Sequence, residues 1–178
     1  MEAASAPSKA RTADLLAGGA AIVAALVAFL YRALLLNQGG PPPDTPLLAP
    51  FLMSYILAMA ILLAVSLVVP LGVKPVLRIA PATGLAVLGW LAAFSIGVAI
   101  MIAAVAAIAS VVLTVQARPV RPSVASAVVG SVIAIIVLVA GLQVSWSYIA
   151  CPTRGSSGGQ AGLLGSSYEC QDGHLTRR

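Results

Sequence analysis

The residues of this chain that could do chemistry are few, and most lie near its carboxyl end. Cys151, Cys170, Asp172 and His174 sit there, and Cys170 with His174 has the Cys-x3-His spacing of a metal-ligand pair. A zinc site needs a second pair of ligands. Neither Cys151 nor Asp172 completes a recognisable one, so no metal and no cofactor is expected. The two cysteines suggest other chemistry. A disulfide between Cys151 and Cys170 would close and order a Gly- and Ser-rich loop in an oxidising compartment, whereas in a reducing one they would remain two free thiols.

Elsewhere the chain has five carboxylates in all and one histidine. Asp14 is the carboxylate at the edge of an apolar run. It could relay protons, but Arg11 three residues earlier makes an exposed i,i+3 partner near a helix start the simpler reading. Paired carboxylates, a nucleophile with a base, a phosphate loop and a dinucleotide fingerprint are not found. The chain is therefore expected not to be an enzyme. Gln143 stands apart from the hydroxyl residues of the apolar runs, which can bond a carbonyl one turn back. Its amide cannot be fully satisfied that way, and it is expected to make an intramembrane polar contact to a neighbouring helix, a pocket or another subunit.

The elements that must carry these residues are membrane spans. The chain is 60% hydrophobic and 8% charged with a mean hydropathy of +1.04, against about 45–50% and about 25% for a soluble domain. Phe51 to Val73, Ile79 to Ala117 and Ser123 to Thr153 contain no Asp, Glu, Lys, Arg or His, and Leu15 to Tyr31 matches them. The expected fold is all-α: a polytopic integral membrane protein with four transmembrane helices in a tight bundle over residues 13–36, 51–69, 82–116 and 123–149. An arm at 1–12 is expected to be disordered, and 151–178 to be a polar Gly/Ser-rich tail. No ion pair is expected inside the bilayer, and Lys74 with Arg78 reads as a short basic turn.

Two stretches leave alternatives. The segment 37–50 holds Pro41, Pro42, Pro43, Pro46 and Pro50, which excludes helix and suggests a stiff extracytoplasmic loop, with a polyproline ligand as the less ordinary use. The third span, as one helix, would be about 52 Å long against a hydrocarbon core of about 30 Å. It could fold back into two spans, but Phe94-Ser95-Ile96-Gly97 lacks the proline, asparagine or charge of a usual turn, so one long third helix is expected. Four spans with a cytoplasmic amino terminus put Lys9, Arg11, Lys74, Arg78 and Arg154 inside and leave Arg32, Arg118 and Arg121 outside. Five spans would bring Arg118 and Arg121 inside as well and send the tail to the far side, a better fit to the positive-inside bias.

Small residues recur at four-residue spacing: Ala13, Ala17, Ala21 and Ala25; Gly89, Ala93 and Gly97; Ser126, Gly130 and Ala134. Such stripes let helix backbones approach closely in lipid. Basic residues scattered in pairs beside apolar runs suit a membrane topology and not nucleic acid. Arg outnumbers Lys and Ala abounds, the coding habit of a GC-rich bacterial genome. The functional expectation is a non-catalytic accessory, scaffolding or regulatory component of a membrane complex in the cell membrane. Its partners would be the bilayer and another membrane protein or a second copy of itself. The alternative is a small oligomeric channel or transporter for an uncharged or lipid-like solute.

Overall fold

The computed structural model describes residues 6–40, 45–70, 73–93, 96–117, 124–151, 155–161 and 166–177. Five helices precede a small sheet: α1 (Ala6–Asn37), α2 (Leu48–Val68), α3 (Lys74–Leu91), α4 (Gly97–Gln116) and α5 (Val124–Ser147), then β1 (Ser156–Ala161), β2 (Ser166–Gln171) and β3 (His174–Arg177). α1, α2, α4 and α5 are each long and apolar enough to cross a membrane. The expected four transmembrane helices are therefore there.

The single long third helix is not. The segment expected to run unbroken over 82–116 is two helices, α3 and α4, and α3 starts upstream at Lys74. They pack antiparallel: Arg78 bonds Thr114 at one end, and Gly89 meets Met101 at the other. The helix stops at Ala92, and the Gly97 N–H donates to the Ala92 carbonyl across the turn at 2.9 Å. Folding back lets two apolar faces bury each other, where one straight helix would overrun the bilayer. The amino-terminal arm also differs, since α1 is helical from Ala6 and includes Lys9 and Arg11. Of the proline-rich segment, residues 41–44 lie outside the described residues. Pro50 stands in the first turn of α2, where its missing N–H costs no intrahelical bond.

Asp14 of α1, Ser66 of α2, Arg78 of α3 and Thr114 of α4 meet at one end of the bundle. α5 runs alongside α3, with Gly130 near Ala80 and Thr83 bonded to Ser131 at 3.0 Å. Successive helices thus alternate in direction. The near end is where α1 begins; the far end is where α1 and α5 finish.

The core is made of small residues on α1 facing α4. Ala13, Ala17 and Ala21 are buried as the four-residue spacing predicts, and the buried face drifts to Ala24 and Ala28 because a helix turns every 3.6 residues. Ala103 and Ala107 of α4 and Leu63, Leu85 and Leu138 complete it. Lipid tails are as apolar as these side chains, so close packing holds the helices together.

Two glycines make that closeness possible. A Cβ on Gly141 would fall on the Phe51 ring. A Cβ on Gly84 would fall on the Tyr55 hydroxyl, with the Met59 sulfur 3.1 Å away. Through the space at Gly84 the buried Tyr55 reaches across α3 and donates to the Ala134 carbonyl of α5 at 3.0 Å. Gly84→Ala should therefore destabilise the bundle by about 1–3 kcal/mol through overpacking, and Tyr55→Phe by less than about 1 kcal/mol. Because both act on one contact, the double variant should lose clearly less than the sum. Unfolding titrations in mixed micelles measure all three, and additive losses would show the two side chains to be independent.

Candidate functional site

The near end holds the ionic residues that the helices bury. Pro75 opens α3 within its first two positions, where a fixed φ favours helix and an absent N–H is harmless. Lys74 and Arg78 are four residues apart and so lie on one face of that helix. α3 has no acidic residue in its first turn, so two cations stand at the positive end of a helix dipole without local compensation. The compensation comes from α1.

Arg78 is 0% exposed and Lys74 7%. The Lys74 ammonium lies 3.3 and 3.2 Å from the two carboxylate oxygens of Asp14. The Arg78 Nη2 donates to Asp14 Oδ1, its Nη1 to Thr114 Oγ1 at 2.7 Å, and its Nε to Ser66 Oγ at 3.1 Å. Each hydroxyl accepts from the guanidinium and donates its own proton onward, Ser66 to the Leu63 carbonyl at 2.6 Å and Thr114 to the Ser110 carbonyl at 2.6 Å. All three guanidinium nitrogens are thereby occupied. The Asp14 side chain is 42% exposed, so the cluster opens outward through its carboxylate and is otherwise closed by protein.

This arrangement replaces two expectations. Asp14 pairs with Lys74 and Arg78, not with its neighbour Arg11. Lys74 and Arg78 form the first turns of a helix and not a short basic turn. The physical reason is common to both: a buried guanidinium must be given acceptors, and those within reach lie on other helices. The three ionic residues lie outside the uncharged runs. Lys74 and Arg78 at i,i+4, together with one carboxylate at a membrane edge, were the available signal.

The other sequence candidates are scattered. Gly89, Ala93 and Gly97 do not form one helix face. Gly89 is near the end of α3, Ala93 is exposed in the turn, and Gly97 begins α4 against the carbonyls of Gly89 and Ala92. Gly130 packs beside Val76 and Ala80 of α3, and Ala134 is buried and supplies the acceptor for Tyr55. Ser126 belongs to α5, and its side chain lies outside the described residues. Gln143 is on the exposed side of α5, next to buried Leu142.

Cys151 and Cys170 are joined in a disulfide, with Cα atoms 5.4 Å apart, so the Cys170 sulfur is not free to act with His174 as a thiolate ligand. The tail is ordered beyond that bond. β1, β2 and β3 form an antiparallel meander, and Asp172 and Gly173 make the β2–β3 turn with φ of 47° and 85°. Two adjacent positive φ values define a type I′ turn, and Asp-Gly is its sequence signature. That dipeptide was legible in the sequence. Tyr168 and Cys170 pack against Ile149 and Cys151 and seat the sheet on the end of α5.

Removing Asp14 and removing Arg78 should not be equivalent. Arg78→Leu leaves Asp14 paired with Lys74, and Ser66 and Thr114 bonded to their own helices. Asp14→Leu leaves two buried cations without a carboxylate. Asp14→Leu should cost about 2–4 kcal/mol, held to that range by its partial exposure, and Arg78→Leu about 1–2 kcal/mol. Unfolding titrations in mixed micelles check the order, and a reversed order would mean that Lys74 does not hold Asp14. No family model, curated protein or solved structure matches this chain, and the role of the cluster is read from its own geometry.

Proposed function

We propose that the chain is a non-catalytic multi-pass protein of the cell membrane that serves as an accessory, scaffolding or regulatory component of a larger membrane complex. The observation that carries this reading is the ionic clamp closed around Arg78. Intramembrane charges that drive transport exchange partners with an ion or substrate. Here the Arg78 guanidinium divides its bonds among α1, α2 and α4, and the hydroxyls it meets are anchored to backbone carbonyls. Such a clamp holds helices in register. Large apolar side chains such as Phe29, Ile61, Ile102, Ile133 and Val144 are exposed around the bundle and supply faces for lipid and for partner helices.

We further read α3 as a fifth crossing, with the amino terminus in the cytoplasm and the tail outside. Four observations support it. α3 lies antiparallel to α4 from Arg78 to Gly89. Lys9, Arg11, Lys74 and Arg78 belong to the near end, and Arg118 and Arg121, outside the described residues, follow the helix that finishes there. Tyr31, Trp90, Trp146 and Tyr148 belong to the far end, as an aromatic belt would. The disulfide-bonded tail also emerges at the far end, and an oxidising compartment suits it.

Two experiments test this. Extraction from native membranes into nanodiscs, followed by particle mass and identification of what co-purifies, should yield a stoichiometric larger membrane partner. A clean homo-oligomer would instead favour the channel reading and lead to flux assays with Gln143→Leu. For topology, alkaline phosphatase fused after Arg178 should be active and green fluorescent protein at the same site dark. The opposite pair of results would restore an even number of crossings.

A further inference from the structure

Two apolar clefts open on the outer side of the α1/α2 pair at the far end. One, of about 220 Å³, runs along Leu35, Leu36 and Ala49; the other, of about 290 Å³, along Ala28, Phe29 and Leu57. Arg32, Pro50 and Met53 line both, so a single guanidinium stands where the clefts meet. They exist because small residues, Ala28 on α1 and Ala49 on α2, lie between larger ones.

The depth of Arg32 follows from α1 itself. Asp14 and Arg32 are separated by about 27 Å along the helix at 1.5 Å per residue, close to a hydrocarbon core of about 30 Å. With the partly exposed Asp14 at one membrane surface, Arg32 reaches the headgroup level of the other, where a long basic side chain is at home. Arg32 is exposed, and among the described residues no hydrogen bond or ion pair engages it.

We propose that these paired clefts seat the two acyl chains of one glycerophospholipid of the far leaflet, with its phosphate against Arg32. A planar guanidinium matches a phosphate diester with two parallel N–H···O bonds. In a bilayer no hydrophobic force draws an acyl chain into a cleft, since it leaves an equally apolar surrounding. The charge pair therefore selects the lipid and the clefts orient it. This assignment is independent of the accessory reading and of the number of crossings.

The test uses the full chain in nanodiscs with phosphatidylglycerol carrying a diazirine on one acyl chain, and crosslinks mapped by mass spectrometry. Labelling should concentrate on residues 28–36 and 49–57, and fall about fivefold in Arg32→Gln, the scale of one basic residue against an anionic lipid. Ala49→Phe, which fills the first cleft, should also reduce it. Diacylglycerol with the same diazirine, tested on the unaltered protein, should label these segments weakly. Unlabelled phosphatidylglycerol should displace the probe and inorganic phosphate should not. Equal labelling of all exposed helices, equal labelling by diacylglycerol, an unchanged Arg32→Gln, or displacement by inorganic phosphate would each overturn the assignment.

Discussion

A guanidinium cannot shed its charge, and at 0% exposure Arg78 has no water to satisfy it. Everything at the near end of the bundle follows from that constraint. The acceptors come from Asp14, Ser66 and Thr114, each on a different helix, so one side chain sets the depth and rotation of four helices relative to one another. Removing charges from water is costly and the attraction between them only partly offsets it, so the cluster matters most through what its partners prevent, a buried charge left without acceptors. The hydroxyls are suited to the task. Each can accept from Arg78 while returning its own proton to the preceding turn, so none is left with an unmet donor.

The remainder of the bundle combines small residues on α1 and α4 with large ones such as Ile56, Leu63, Leu85, Ile100 and Leu138. The small residues let the helices approach closely, and the large ones pack between them. Directional bonds oppose sliding at three levels: the Arg78 cluster at the near end, the Thr83–Ser131 pair further in, and the Tyr55–Ala134 bond beyond it. Glycine at position 84 is the condition for the last of these, since any side chain there would occupy the path of the tyrosine.

The polarity of the molecule is consistent along its length. Lys9, Arg11, Lys74 and Arg78 lie at one end, Tyr31, Trp90, Trp146 and Tyr148 lie with Arg32 at the other, and the disulfide-bonded sheet is attached at that aromatic end through Tyr168, Cys170, Ile149 and Cys151. A meander of three short strands has little core of its own, and the covalent link to the end of α5 compensates for that. On the proposed accessory reading, these features make a bundle with apolar flanks and one small structured face at its far end.

The sequence by itself determined the class, the four long apolar helices and the burial of Ala13, Ala17 and Ala21, because hydropathy and helical period are properties of contiguous residues. In the tail, which reads as polar and Gly/Ser-rich, the structure adds three strands, and Asp172-Gly173 is the local turn signal that reading passed over. Only the tertiary structure decided that α3 and α4 are separate, because the segment between them carries no proline, asparagine or charge to mark a turn, whereas the two helices on either side of it pack on each other. It alone decided that Arg78 is buried, since Asp14, Ser66 and Thr114 are distant in sequence and become acceptors only when three helices converge on one guanidinium. A charge beside an apolar run is written the same way whether it faces water or the centre of a bundle. The difference lies in the partners that folding supplies.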